Sequence, residues 1–203
     1  MNSPAEDTPG SASDTPQRRR IELLDLAPAL TLVLVAAMAA RPIGDASFLW
    51  HIRSGSAQHA INSVITIDPF SFTRLGEDWR TQSWLVELLY STLESSFDSY
   101  AWVNWMVFFI GIVTVMFVAL SLYRAVPSPM SVAIALVPLL WLMAPWLRPR
   151  PVVFSYLLLA ALVVVLQNRE RVIWIVVPII WMWAAMHGSW VIGGGLIVLE
   201  LIR

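Results

Sequence analysis

Seven carboxylates, Asp45, Asp68, Glu77, Asp78, Glu87, Glu94 and Asp98, fall in one polar stretch, residues 43–99, against only Arg53, Arg74 and Arg80. A carboxylate within hydrogen-bond reach of a hydroxyl can take its proton, and His51 in the same stretch could bind a phosphate or a metal. Arg148 and Arg150 form a second polar group in the Pro-bracketed turn LRPRP, 147–151. The guanidinium fork matches phosphate oxygens. A third group is His187 with Gly188, where the histidine could face a cavity. Each has an ordinary alternative. Asp45 could simply cap a helix, and Asp68 before Pro69 could close an Asx turn. Glu87 could be a solvated helix residue, and the two arginines could snorkel to headgroups. His51 and His187 could be hydrogen-bonding or capping residues. There is no Ser-His-Asp arrangement, no HExxH spacing and no nucleotide fingerprint.

The elements that must hold these residues are apolar. The 203 residues are 58% hydrophobic and 13% charged, with a mean hydropathy of +0.68, beyond ordinary globular composition. Every basic side chain is arginine, and cysteine is absent, which removes disulfides and thiolate metal sites. The net charge of −1 gives no basic stripe, so no nucleic-acid partner is expected. Residues 1–20 are polar and Pro/Ser-rich and read as a disordered cytoplasmic tail. Residues 21–203 read as a transmembrane domain, with spans at about 23–40, 101–122, 130–146, 152–166 and 172–186. A sixth run, 190–202, is too short to cross alone and reads as a partial or truncated span. The expected fold is all-α: a polytopic transmembrane helical bundle with an ordered extracytoplasmic loop, 43–99, containing short amphipathic helices. Arg18, Arg19 and Arg20 before the first span place the amino terminus in the cytoplasm.

Within the loop, GDASFLWHIRSGSAQHAI suggests an interfacial helix opened by Asp45, with Trp50 at headgroup level. TIDPFSFTRLGEDW suggests an extended segment and a turn at Gly76. Residues 82–97 return to helical spacing: Trp84, Leu85, Leu88 and Leu89 share an apolar face, and Glu87 and Glu94 a wet one.

The ordered set Asp45, Phe48, Trp50, His51, Gly55, then DPFSFT (68–73), Gly76, Trp79 and WLVE (84–87), resembles the first extracytoplasmic loop of GT-C superfamily membrane glycosyltransferases. Bacterial protein O-mannosyltransferases and aminoarabinose transferases belong to that superfamily. The resemblance continues through LRPRPVVFSYLL (147–158) and WMWAAMHGSWVIGGG (181–195) and covers about 43–200. It implies transfer of a sugar from a polyprenyl-phosphate donor to an acceptor at the outer face of the cell (inner) membrane. It further implies an early acidic residue, here Asp45, as catalytic base or metal ligand. With it come Asp68 and Glu87 as further catalytic candidates and a divalent cation, Mg or Mn, as a cofactor. Arg148, Arg150, His51 and His187 are the candidates for the donor phosphate, and membrane lipid is the surrounding partner. Such enzymes have more spans, so the chain reads as the amino-terminal portion of one. The rival readings are a non-catalytic polytopic scaffold and a transporter; the near absence of charge inside the spans speaks against the transporter.

Overall fold

A computed structural model of the chain describes residues 45–168 and 173–202, together with Leu34. Among the described residues there are seven α-helices: α1 Ser47–Ile61, α2 Trp84–Ser96, α3 Ala101–Ala125, α4 Pro129–Met143, α5 Val152–Leu166, α6 Val176–Met186 and α7 Trp190–Leu201. Short 3₁₀ turns, Ala144–Trp146 and Ile173–Ile175, follow α4 and precede α6. No strand occurs among the described residues, only an isolated antiparallel bridge between Ile67 and Asp78. The tail 1–20 and the expected first span 23–40 lie outside the described residues, apart from Leu34.

Local chemistry sets the helix ends. Ser128 accepts the Ser131 amide and Pro129 opens α4, where its missing N–H costs nothing. Asn62 takes a left-handed conformation (φ 49°) after α1, its amide turned back to the last turn. Between α1 and α2 the chain folds back on itself. The Asp68 amide donates to the Glu77 carbonyl (2.8 Å) and the Gly76 amide to the Asp68 carbonyl (2.9 Å). Gly76 sits at φ +84°, a region a Cβ disfavours. This is the turn expected there.

By length and composition α3, and α4 with its following 3₁₀ turn (Pro129–Trp146), are able to cross a membrane. Both leave large apolar side chains uncovered, among them Trp105, Phe109 and Met116 on α3 and Ile134, Val137 and Trp141 on α4. Among the described residues α5 is the central helix, packed against α3, α6 and α7, while α4 packs mainly on α3. α1 and α2 form a closely packed pair seated on this bundle. Phe48 and Ile52 of α1 and Val86 and Tyr90 of α2 share one core with Trp102, Val103 and Val107 of α3 and Val153 and Phe154 of α5. That shared core fixes the polar helices relative to the turn before α5.

One helix face differs from expectation. On α2 the buried side is Val86, Glu87, Tyr90 and Ser91, whereas Trp84, Leu85, Leu88 and Leu89 are only half-buried. The inward side carries a carboxylate because α1 supplies donors for it.

Candidate functional site

The polar residues of the loop assemble into two clusters and one local turn. The first cluster joins Asp45, just before α1, to Arg150 in the turn before α5. Arg150 Nε donates to Asp45 Oδ2, across 105 residues, and the Ser47 amide donates to Asp45 Oδ1 at 3.0 Å. Asp45 is not the N-cap that the capping alternative expected, since that position is Ala46 with no side-chain cap bond; it holds the first helical amide from one residue further out, and it also holds an arginine. It is 8% exposed, whereas the Arg150 side chain is 52% exposed, so the guanidinium keeps a solvent-facing edge. Burial raises the Asp45 pKa, but the Arg150 bond, the Ser47 amide and the Arg150 charge outweigh it and bring the carboxyl down to about 2. Asp45 is therefore an anion at neutral pH and a weak base while Arg150 holds it.

The second cluster centres on Glu87, 4% exposed. Its Oε2 accepts from Ser54 Oγ (2.8 Å), Gln58 Nε2 (2.6 Å) and Thr81 Oγ1 (2.8 Å). Its Oε1 faces His51 Nδ1 at 3.4 Å. Burial works against the charge, yet the His51, Ser54 and Thr81 hydrogen bonds prevail and hold the carboxyl below its ordinary range. A solvated role for Glu87 is thereby replaced by a buried one. His51, Ser54 and Gln58 recur at i, i+3 and i+7, one stripe of α1. That spacing is the sequence signal that could have found Ser54 and Gln58; Thr81, in a loop, has no such signature. The helices meet closely because residue 55 is glycine: a Cβ there would stand 1.9 Å from the Glu87 carbonyl oxygen.

Asp68 is separate. Its Oδ1 accepts the Phe70 and Ser71 amides at 2.8 and 2.9 Å. Hydrogen bonds from Ser71 and Phe70 hold its carboxyl below the ordinary value. All its partners belong to its own turn, which is the Asx-turn alternative. His187 lies between α6 and α7 and takes part in a hydrogen-bond chain that was not expected. The Ser189 amide donates to His187 Nδ1 (3.2 Å), and Ser189 Oγ lies 2.8 Å from both His187 Nδ1 and Ser155 Oγ on α5. Trp183 Nε1 donates to the same Ser189 oxygen. With Nδ1 accepting an amide, neutral His187 carries its proton on Nε2, and burial lowers its pKa. Gly188 lies against the Gln82 side chain, which brings this turn to the start of α2. Arg148 is exposed and its guanidinium has no partner among the described residues. The site therefore brings Asp45 and Arg150 together, and His51 and Glu87 together, and leaves Asp68 and Arg148 apart.

The donors around Asp45 do not fit a divalent cation. One carboxylate oxygen carries an amide and the other a guanidinium. No group of three or more His, Cys, Asp or Glu that could hold a metal occurs among the described residues.

The Asp45 pair has a pH signature. The folded value of about 2 lies below the ordinary 3.8, so the pair's stabilisation is complete above 3.8 and lost as pH falls toward 2. The unfolding free-energy difference between the wild type and Asp45→Asn is expected to be constant from neutrality to about 4 and to shrink through this window. Denaturant titrations at stepped pH check it.

Fold and site together define the class as far as it goes: an all-α protein in which a polar helix pair sits on a bundle containing two membrane-length helices. No protein family, curated protein or solved structure matches the chain.

Proposed function

We propose that this chain is a polytopic membrane glycosyltransferase, or the amino-terminal portion of one, that moves a sugar from a polyprenyl-phosphate donor to an acceptor. The loop would lie on the extracytoplasmic side of the cell membrane. Lipid contact is supported by the uncovered apolar surface: only 28% and 17% of the apolar windows of α3 and α4 are buried, whereas a soluble core helix is mostly covered. The observation that carries the catalytic reading is the Asp45–Arg150 pair. It holds a guanidinium half in solvent above membrane-length helices, where the phosphate of a lipid-linked sugar would arrive. As the sugar–phosphate bond breaks, negative charge grows on the departing oxygen, and a guanidinium already in place stabilises it without reorganisation. Asp45 keeps Arg150 in that place. His187, with its Nε2 proton, is a second donor suited to a phosphate oxygen.

The test is donor turnover by the full chain in lipid nanodiscs, with undecaprenyl phosphomannose as probe. Arg150→Lys, which keeps the charge but loses the fork, is expected to reduce turnover about 10²–10³-fold. Asp45→Asn is expected to reduce it as well, by releasing Arg150. Unchanged turnover in Arg150→Lys at wild-type expression overturns the reading and favours a scaffold.

A further inference from the structure

We propose that His51, oriented by Glu87, is the general base that takes the proton of the acceptor hydroxyl. This rests on the glycosyl-transfer reading above and assigns to it a residue and a role that the Asp45–Arg150 pair does not fill.

A base must have a free lone pair. That lone pair must also be basic enough to hold a proton, and on Asp45 it is not: the Ser47 amide and the Arg150 guanidinium each donate to one of its oxygens, and its pKa of about 2 leaves it a weak acceptor. Glu87 is no better placed, because four donors surround it and it is buried. His51 is the group these contacts leave open. A carboxylate only accepts, so the imidazole nitrogen facing Glu87 Oε1, Nδ1, must carry the proton. The lone pair is then on Nε2. Nε2 has no partner among the described residues, and it is not among the buried unpartnered polar atoms, so it opens to solvent. The His51 side chain is 18% exposed, and the Tyr90 ring of α2 stands edge-on to it at 6.3 Å and 89°, fixing its plane. Glu87 and Tyr90 are the titratable groups that face His51 from α2, with Thr81 of the preceding loop on the far side of the carboxylate.

This is the arrangement in which a buried carboxylate fixes an imidazole tautomer and then stabilises the imidazolium. Glu87 is the positioning residue. Ser54, Gln58 and Thr81 hold Glu87 in turn, so that its orientation does not depend on His51. His51 lies near the start of α1, which begins two residues after Asp45, so one chain segment carries both clusters. The donor would lie with its phosphate at Arg150 and its anomeric carbon toward His51. In the step itself, the acceptor O–H proton passes to His51 Nε2 as the acceptor oxygen forms its bond to the anomeric carbon. The bond from that carbon to the donor phosphate oxygen breaks, and its electron pair remains on the phosphate beside Arg150. The imidazolium, stabilised by Glu87, then returns its proton to water.

Two measurements on the full chain in nanodiscs test this. The first is a long-range ¹H–¹⁵N correlation of the imidazoles. The expected result is His51 as the Nδ1–H tautomer in the wild type and a mixture in Glu87→Gln; a wild-type Nε2–H tautomer overturns the proposal whatever the activity. The second is turnover of undecaprenyl phosphomannose. His51→Ala is expected to lose about 10²–10⁴-fold and to regain at least tenfold on addition of imidazole, whereas Asp45→Asn gains nothing from it. Wild-type turnover with His51→Ala unimpaired, or impaired and not restored by imidazole, overturns the base and leaves the transfer reading standing. No turnover by the wild type overturns both.

Discussion

Gly55→Ala is expected to separate α1 from α2 and to dismantle the Glu87 cluster. The added Cβ would lie 1.9 Å from the Glu87 carbonyl oxygen, 2.5 Å from its carbon and 2.9 Å from Ser91 Oγ. The first two are backbone atoms of a helix interior and cannot rotate away, so α1 must move as a body. Overpacking in a core costs about 1–3 kcal/mol. Here the displacement also lengthens the bonds from Ser54 and Gln58, so the upper end of that range or beyond is expected. It exceeds the roughly 1 kcal/mol that alanine gains over glycine inside a helix. Gly194→Ala is the matched control: nothing lies within 4 Å of a Cβ there, and the same substitution should be neutral or slightly stabilising. Chemical unfolding in nanodiscs, read by tryptophan emission, gives the comparison, and proteolysis of residues 62–83 reports whether the loop is released. Equal stability for the two variants would mean that α1 and α2 do not cross at residue 55.

Glu87→Leu should be the second large effect, despite placing an apolar side chain in an apolar core. Four donors lose their acceptor. His51 and Thr81 are partly exposed and can turn to water, but Ser54 and Gln58 are each 1% exposed and cannot. Leaving a buried donor unpaired costs about 1–3 kcal/mol, so a loss of about 2–6 kcal/mol is expected from these two alone. Glu87→Gln keeps one acceptor oxygen and should lose less. Ser54→Ala in the Glu87→Leu background should restore part of the loss, because it removes an orphan. A double-mutant cycle measures that coupling; additivity would place the cost elsewhere than in the hydrogen bonds.

Much of the frame was legible from residue types alone. The apolar runs at 101–122 and 130–146 became α3, and α4 with its 3₁₀ turn, since length and hydropathy are local properties. The turn at Gly76 followed from Asp68-Pro69 and glycine chemistry, equally local. The burial of Glu87 was not legible, because a carboxylate on one helix face reads as solvated until the donors on another helix are known. Those donors, Ser54 and Gln58, lie 33 and 29 residues away. Arg148 and Arg150 were equal candidates in sequence. In space the turn directs Arg150 to Asp45 and leaves Arg148 outward, a distinction set by a contact 105 residues long. His187 gave no hint of its chain to Ser189 and Ser155, since one of those partners is on another helix.

The unequal reach of the two clusters has a consequence for how the protein is made. Every hydrogen-bond partner of the Glu87 carboxylate lies within residues 51–81, so the pair of α1 and α2 can close as soon as α2 has been synthesised. Asp45 must wait for Arg150, which leaves the ribosome 63 residues after Glu87, about 3–13 s later at ordinary elongation rates. During that interval Asp45 is a carboxylate without its arginine at the head of an otherwise finished helix pair. Nascent chains arrested before residue 150 should therefore protect the Glu87 cluster from modification and leave Asp45 reactive.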